Sequence, residues 1–223
     1  MFDQVEESNR YFECQALELS MEKAITRVAE MQEIRFSAVV KNLGLTRPPA
    51  SMMDLGCGTG NFLKFLEDRG LKPEKYVGYD SWPAAIAAAE GRWKHDQGSV
   101  TFLNCPIQSL FSDKPAPVEY VVSLAVFSHR STTLSKMQSL LMDTVDLAYK
   151  ACTVGCAVTA LSTYKTNALE IEALFDPLWL WQLGRKLSER VLIDHSYAPE
   201  TMLVLFKEKS PFWRLWKKKG GWS

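Results

Sequence analysis

The stretch Met52-Met53-Asp54-Leu55-Gly56-Cys57-Gly58-Thr59-Gly60-Asn61-Phe62 sets three alternating glycines two residues behind an acid. Ser51 to Met53 reads as a short apolar strand, and Phe62-Leu63 with Phe65-Leu66 has helical spacing. The glycines therefore fall where a strand turns into a helix. Glycine at such a turn reaches φ > 0 without strain and lets the backbone pass close to a ligand. The stretch predicts a backbone cradle for a small molecule.

Two phosphate-binding readings of a glycine-rich turn do not fit. A dinucleotide site has G-x-G-x-x-G, so that a pyrophosphate meets the helix N-terminus. Counted from Gly56, its third glycine falls on Asn61. A P-loop needs a following Gly-Lys-Ser/Thr, which this chain lacks. Asp54, two places before the first glycine, suits a cationic ligand better than a pyrophosphate.

Twenty residues beyond Gly60, Tyr76-Val77-Gly78-Tyr79-Asp80 reads as a second strand that ends in an acid. A carboxylate in that place can accept both hydroxyls of a ribose. It can equally cap the helix expected to begin near Pro83, since Asp80-Ser81 precedes it.

The acid followed by x-G-x-G-x-G, with the second acid behind it, resembles motifs of the class I S-adenosylmethionine-dependent methyltransferases. The resemblance implies S-adenosyl-L-methionine as cofactor, held by Asp54, Gly56, Cys57, Gly58, Gly60 and Asn61. It puts Asp80 on the ribose, beside Ser81, and Trp82 against the adenine. After the third strand, Asn104-Cys105-Pro106-Ile107-Gln108 stands where the family often has an acid for the adenine amino group, so Asn104, Pro106 and Ile107 are candidates there. Ser123 is expected on the same strand edge. Arg35 resembles the arginine that small-molecule O-methyltransferases of the ubiquinone-biosynthesis type set on the methionine carboxylate, since a guanidinium fork suits a carboxylate. Its other reading is a solvated helix arginine.

The remaining chain fits one domain. Residues 1–46 are expected to form a helical lead-in, with an apolar face of Ile25, Val28, Met31, Ile34 and Val39-Val40 that ends at Gly44. Residues 50–208 form the core, in which strands and helices alternate, as parallel strands joined by crossovers require. The strands are expected at 51–53, 76–79, 100–104, 118–124, 153–161, 191–193 and 202–206, with a helix over Ala168 to Leu187 bent at Pro177. The family fold then implies an α/β Rossmann-like sheet of seven strands in the order 3-2-1-4-5-7-6, the last antiparallel. Ligands of such sheets bind at the carboxyl ends of the strands.

Methyl transfer from a sulfonium is an in-line displacement of an activated group, so the protein mainly aligns a nucleophile and excludes water. A hydroxyl nucleophile gains from a base. His129, in Ala125-Val126-Phe127-Ser128-His129-Arg130, is the candidate, because a neutral imidazole accepts a proton near neutral pH. It can instead cap the next helix or pack under the cofactor. Three scattered histidines make no metal-ligand pattern, and none is expected. Cys105 stands in Cys-Pro order, the reverse of the Pro-Cys of cytosine C5-methyltransferases, which argues against a thiolate nucleophile.

The chain's 26 basic and 26 acidic residues cancel, so the broad basic footprint of nucleic-acid binders is missing from the totals. Five cysteines without a C-x-x-C pair suggest reduced thiols in a cytoplasm, and the acidic N-terminus is not a signal peptide. The tail Pro211-Phe212-Trp213-Arg214-Leu215-Trp216-Lys217-Lys218-Lys219, within 209–223, interleaves aromatics with cations and could touch nucleic acid or an anionic lipid surface. Asn9-Arg10-Tyr11-Phe12 could fold over the site as a lid.

The expected activity is methyl transfer to an oxygen or nitrogen of a small-molecule acceptor. No N-P-P-Tyr or D-P-P-Tyr follows the fourth strand, which argues against adenine-amino methylation. Leu178-Trp179-Leu180-Trp181 could line an apolar acceptor pocket or belong to the core. The alternatives are an RNA or ribosome methyltransferase that uses the basic tail, and a non-catalytic S-adenosylmethionine-binding module. The oligomeric state is not legible.

Overall fold

The computed structural model describes residues 21–208 apart from 97 and 113–114, with side chains from residue 29 onward. The expectations placed on residues 9–12 and 209–223 lie outside the described residues. Chain order runs α1 (Met21–Leu43), β1 (Ser51–Leu55), α2 (Asn61–Asp68), β2 (Lys75–Asp80), α3 (Pro83–Arg92), β3 (Val100–Asn104) and a 3-10 turn (Ile107–Phe111). It continues with β4 (Val118–Phe127), α4 (Leu134–Ala151), β5 (Cys152–Ser162), β6 (Leu174–Phe175), α5 (Pro177–Leu187), β7 (Arg190–Asp194) and β8 (Glu200–Phe206).

The sheet runs β3-β2-β1-β4-β5-β8-β7, with β6 beside β5. Strands β1 to β5 pair in parallel, and β8 runs antiparallel to both β5 and β7. This is the expected Rossmann-like order with one strand added. Two-residue β6 lies inside the segment expected as the start of a long helix, so the helix expected from Ala168 is corrected to begin at Pro177. The reason is local. Asp176 caps it, its Oδ1 accepting from the N–H groups of Leu178 and Trp179, and Pro177 takes the first helical position, where its missing N–H costs nothing.

Alternation along each central strand sends neighbours to opposite faces. Met53, Val121, Cys156 and Leu203 pack on one side with Leu141, Val145 and Ala148 of α4. Met52, Val122, Ala157 and Val204 pack on the other with Phe36 and Val39 of α1 and with Phe62, Leu63 and Leu66 of α2. Helices on both faces leave the sheet's carboxyl edge as the place where loops can build a site. No described helix is long and apolar enough to cross a membrane.

Strand β4 reaches Phe127, three residues past its expected end. Its pairing with β5 steps from Ser123↔Val158 to Phe127↔Ala160, so β4 bulges between them. Ala125 sits in the bulge at φ 62°, and its N–H is satisfied by the side-chain oxygen of Thr159 at 2.8 Å. Ser123 is corrected from an edge residue to a fully buried one inside β4.

Candidate active site

The cradle is built by hydrogen bonds that fold the loop after β1 back onto the end of β2. The N–H groups of Gly56 and Cys57 both donate to the carbonyl of Tyr79, at 2.7 and 3.0 Å, and Gly60 donates to the carbonyl of Cys57. Gly56, Gly58 and Gly60 all have positive φ, of 85°, 53° and 75°. They differ in surroundings. A Cβ at Gly56 would lie 2.2 Å from Cγ2 of Val126, and one at Gly60 would lie 3.1 Å from the rings of Phe102 and Trp93. A Cβ at Gly58 would meet nothing within 4 Å. Gly58 thus faces open space, where backbone can meet a ligand.

Asp80 at the end of β2 closes the cradle. Its Oδ2 accepts from the Gly58 N–H at 2.8 Å and its Oδ1 from the Trp82 N–H at 2.9 Å. Each carboxylate oxygen retains a further lone pair for a ligand hydroxyl. The side chain makes a local turn with Trp82 and does not cap α3, whose N-cap is Trp82 itself.

Asp54 is buried beneath this loop. Its Oδ2 accepts from the Tyr76 hydroxyl at 2.7 Å, while Oδ1 has no hydrogen-bond partner among the described residues. Desolvation raises its carboxyl to about 7, against the Tyr76 bond that favours the charged form. Burial also pushes the phenol of Tyr76 well up, so it stays a donor, and pushes up the thiol of Cys57, so it is no nucleophile. Tyr76 was not among the expected site residues. Its signal was the period of two: Asp54 registers with Gly78, and Tyr76 lies two residues earlier on the same strand face. Gly78 makes the room, since a Cβ there would lie 2.8 Å from the sulfur of Cys57.

Asn61 knits the cradle to its surroundings. Its amide donates to Gln32 of α1 at 3.2 Å, and its oxygen accepts from Thr59 and from Arg92 of α3. Ser81 lies half-buried between Asp80 and Trp82. Asn104 registers with Asp80 at the ends of β3 and β2 and donates to the Asp80 carbonyl at 3.1 Å. Pro106 precedes the 3-10 turn as its N-cap residue. Ile107 is buried in the α4-side core with Leu110 rather than presented at the edge, because the 3-10 turn directs it inward.

Both readings of Arg35 are corrected. It is buried, and its guanidinium grips Glu200 with two nitrogens, the Nε contact at 2.7 Å. The fork that a methionine carboxylate would need is filled by a carboxylate of this chain.

His129 lies two residues past β4. The segment pairs with the loop before β6: His129 bridges Glu172, Arg130 donates to the Ile171 carbonyl and Ala173 to the Ser128 carbonyl. Burial lowers the imidazole below its usual 6.5, partly offset by Glu172. The expected capping role is corrected, since Thr133 caps α4. Among the described residues no cluster suits a metal ion.

Strand order, doubly covered sheet and a glycine cradle closed by a second-strand acid are those of the class I S-adenosylmethionine-dependent methyltransferase fold, which this chain shares. Residues 53–148 match the family model described as a methyltransferase domain. A Mycobacterium tuberculosis protein named as a methyltransferase is 28% identical over 166 residues, covering 73% of this chain and 95% of that protein. Magnesium protoporphyrin IX methyltransferase of Synechocystis PCC 6803, solved with S-adenosylhomocysteine, superposes with a TM-score of 0.62 at 11% identity over 92% of this chain and 100% of that one. The methyltransferase domain of a bacterial Hen1 protein gives 0.56 at 17%, covering 78% and 97%. At such identities both are likenesses of fold.

The residues present fit the cofactor. An open-faced Gly58, spare acceptor capacity on Asp80 and an unsatisfied buried oxygen on Asp54 are features a sulfonium-bearing nucleoside would use.

Proposed function

We propose that this methyltransferase methylates an oxygen or nitrogen of a small-molecule acceptor, with His129 receiving the acceptor's proton. The observation that carries the reading is the approach of Val126 to Gly56, because it brings the exit of β4 against the cradle, with His129 three residues further on. S-adenosylmethionine supplies a methyl group already activated by its sulfonium. Asp80 would hold the ribose hydroxyls, Trp82 would flank the adenine, and Asn104 would offer its side chain to the adenine edge. Asp54, buried beneath the cradle, would supply a carboxylate to a bound sulfonium. His129, kept neutral by burial, takes the proton as the new oxygen–carbon or nitrogen–carbon bond forms and the sulfur–carbon bond breaks.

The balanced charge of the sequence supports a small acceptor over a polyanion. One structural relative is named for a porphyrin, a small-molecule acceptor. The test is transfer of labelled methyl groups from S-adenosylmethionine into a cell extract separated into small molecules, RNA and protein. Label in the small-molecule fraction that disappears with His129→Ala is the expected result. Label confined to RNA would contradict the reading.

A further inference from the structure

A hollow of about 330 Å³ opens at the carboxyl edge of the sheet, lined by Tyr164, Asp176, Pro177, Leu178, Trp181 and Ile193. Its walls come from carboxyl ends: Tyr164 lies two residues past β5, Asp176 directly follows β6, and Ile193 is one residue short of the end of β7. The hollow therefore shares the edge on which the glycine loop sits.

Its apolar lining is not left over from the core. Leu180 is 1% exposed, whereas Leu178 is 59% and Trp181 42% exposed. The pair stands at i and i+3 on the outer face of α5. The helix is fixed in that rotation: Trp179 stacks on Phe175 with centroids 6.1 Å apart, and Asp176 with Pro177 locks the first turn. Tyr164, 73% exposed, is held from behind by the ring of His195 and by a turn in which its N–H donates to the Ser162 hydroxyl. Rigid aromatic walls left in water carry a hydration cost that a ligand would relieve.

We propose that this hollow is the subsite for an apolar, ring-sized arm of the methyl acceptor, uncharged or cationic and not anionic; the assignment rests on the small-molecule reading above. The volume is that of a small-molecule site. Six lining side chains cannot supply the ~800 Å² per partner that a stable protein interface buries. The charge preference comes from Asp176. Asp176 lines the hollow, and both of its capping bonds use Oδ1, which leaves Oδ2 outside the cap.

Two probes with one arylamine skeleton separate these claims: neutral N-phenyl-1-naphthylamine and anionic 1-anilinonaphthalene-8-sulfonate. The neutral probe should bind saturably, at least tenfold more tightly than the anion, and should compete with the acceptor but not with S-adenosylmethionine in the transfer assay. Trp181→Ala and Leu178→Ser, both surface changes, should each weaken it at least tenfold while S-adenosylhomocysteine binding is unchanged. Asp176→Asn keeps the helix cap and should narrow the gap between probes. Equal binding of the neutral probe to wild type and Trp181→Ala overturns the inference, as does equal affinity for both probes. So does a dimer in sedimentation that Trp181→Ala dissociates without probe uptake. Failure of the small-molecule reading would show separately, as label in RNA.

Discussion

The backbone N–H of Gly58 donates to Oδ2 of Asp80 at 2.8 Å, which ties the loop after the first strand to the end of the second. Gly58 is the cradle glycine with open space where a side chain would be, whereas Gly56 abuts Val126. Alanine at either position meets a positive φ that costs about 1–2 kcal/mol. Gly56→Ala adds a clash, worth about 1–3 kcal/mol more. Thermal unfolding should therefore show Gly56→Ala melting well below Gly58→Ala. Gly58→Val should stay folded and lose cofactor binding, and retained binding would count against the cradle.

Asp54 predicts an unusual pH dependence. Its carboxyl is raised from 3.8 to about 7 in the fold, so the native state binds the proton more tightly than the unfolded chain does. Its contribution to stability is full below about pH 4 and is lost as pH rises to about 7. Asp54→Asn leaves Tyr76 an acceptor and does not titrate. Urea denaturation across pH 4 to 8 should show wild type losing ground to the variant over that interval, then a constant difference. Parallel curves would refute the buried titration. A sulfonium favours the charged carboxylate, so cofactor binding near pH 7 should release protons, read as a buffer-dependent heat.

Arg35 and Glu200 form a buried pair between α1 and β8, joined by Tyr197, whose hydroxyl lies 3.4 Å from Glu200. Removing one partner leaves an uncompensated buried charge, at about 3–5 kcal/mol. Arg35→Met and Glu200→Met should each destabilise by that order, while the double variant should recover much of the loss. If Arg35→Met instead left stability intact and weakened only cofactor binding, the guanidinium would belong to the methionine carboxylate.

His129 fixes the shape of the rate profile. A base must be unprotonated, and burial holds this imidazole below 6.5. Activity should rise with pH below that value and be level at neutrality. His129→Ala should cut turnover about 100-fold or more, with S-adenosylhomocysteine affinity unchanged. Equal losses in both would make the residue structural.

The cradle and the positions of the strands were readable because both rest on local signals: glycines behind an acid, and apolar runs separated by turns; their order in the sheet came from the resemblance to the methyltransferases. The Arg35–Glu200 pair was not, since its partners stand 165 residues apart and each looks like a surface charge. The extension of β4 was hidden because a bulge breaks the period of two after Ser123. Asp176-Pro177 did carry the signature of a helix start, yet the apolar residues before it read as the same helix. Within Leu178-Trp179-Leu180-Trp181 every position is apolar, so helical phase was silent on which pair faces out. Only the stacking of Trp179 on Phe175 decides that.

The central claim is that the glycine loop closed by Asp80 is the cofactor site. Titration calorimetry of S-adenosylhomocysteine into wild type and Asp80→Ala tests it most directly. The account predicts saturable binding to wild type and a loss of about 1–3 kcal/mol in the variant, the worth of hydrogen bonds to a charged acceptor. Unchanged affinity in a folded Asp80→Ala protein would contradict it.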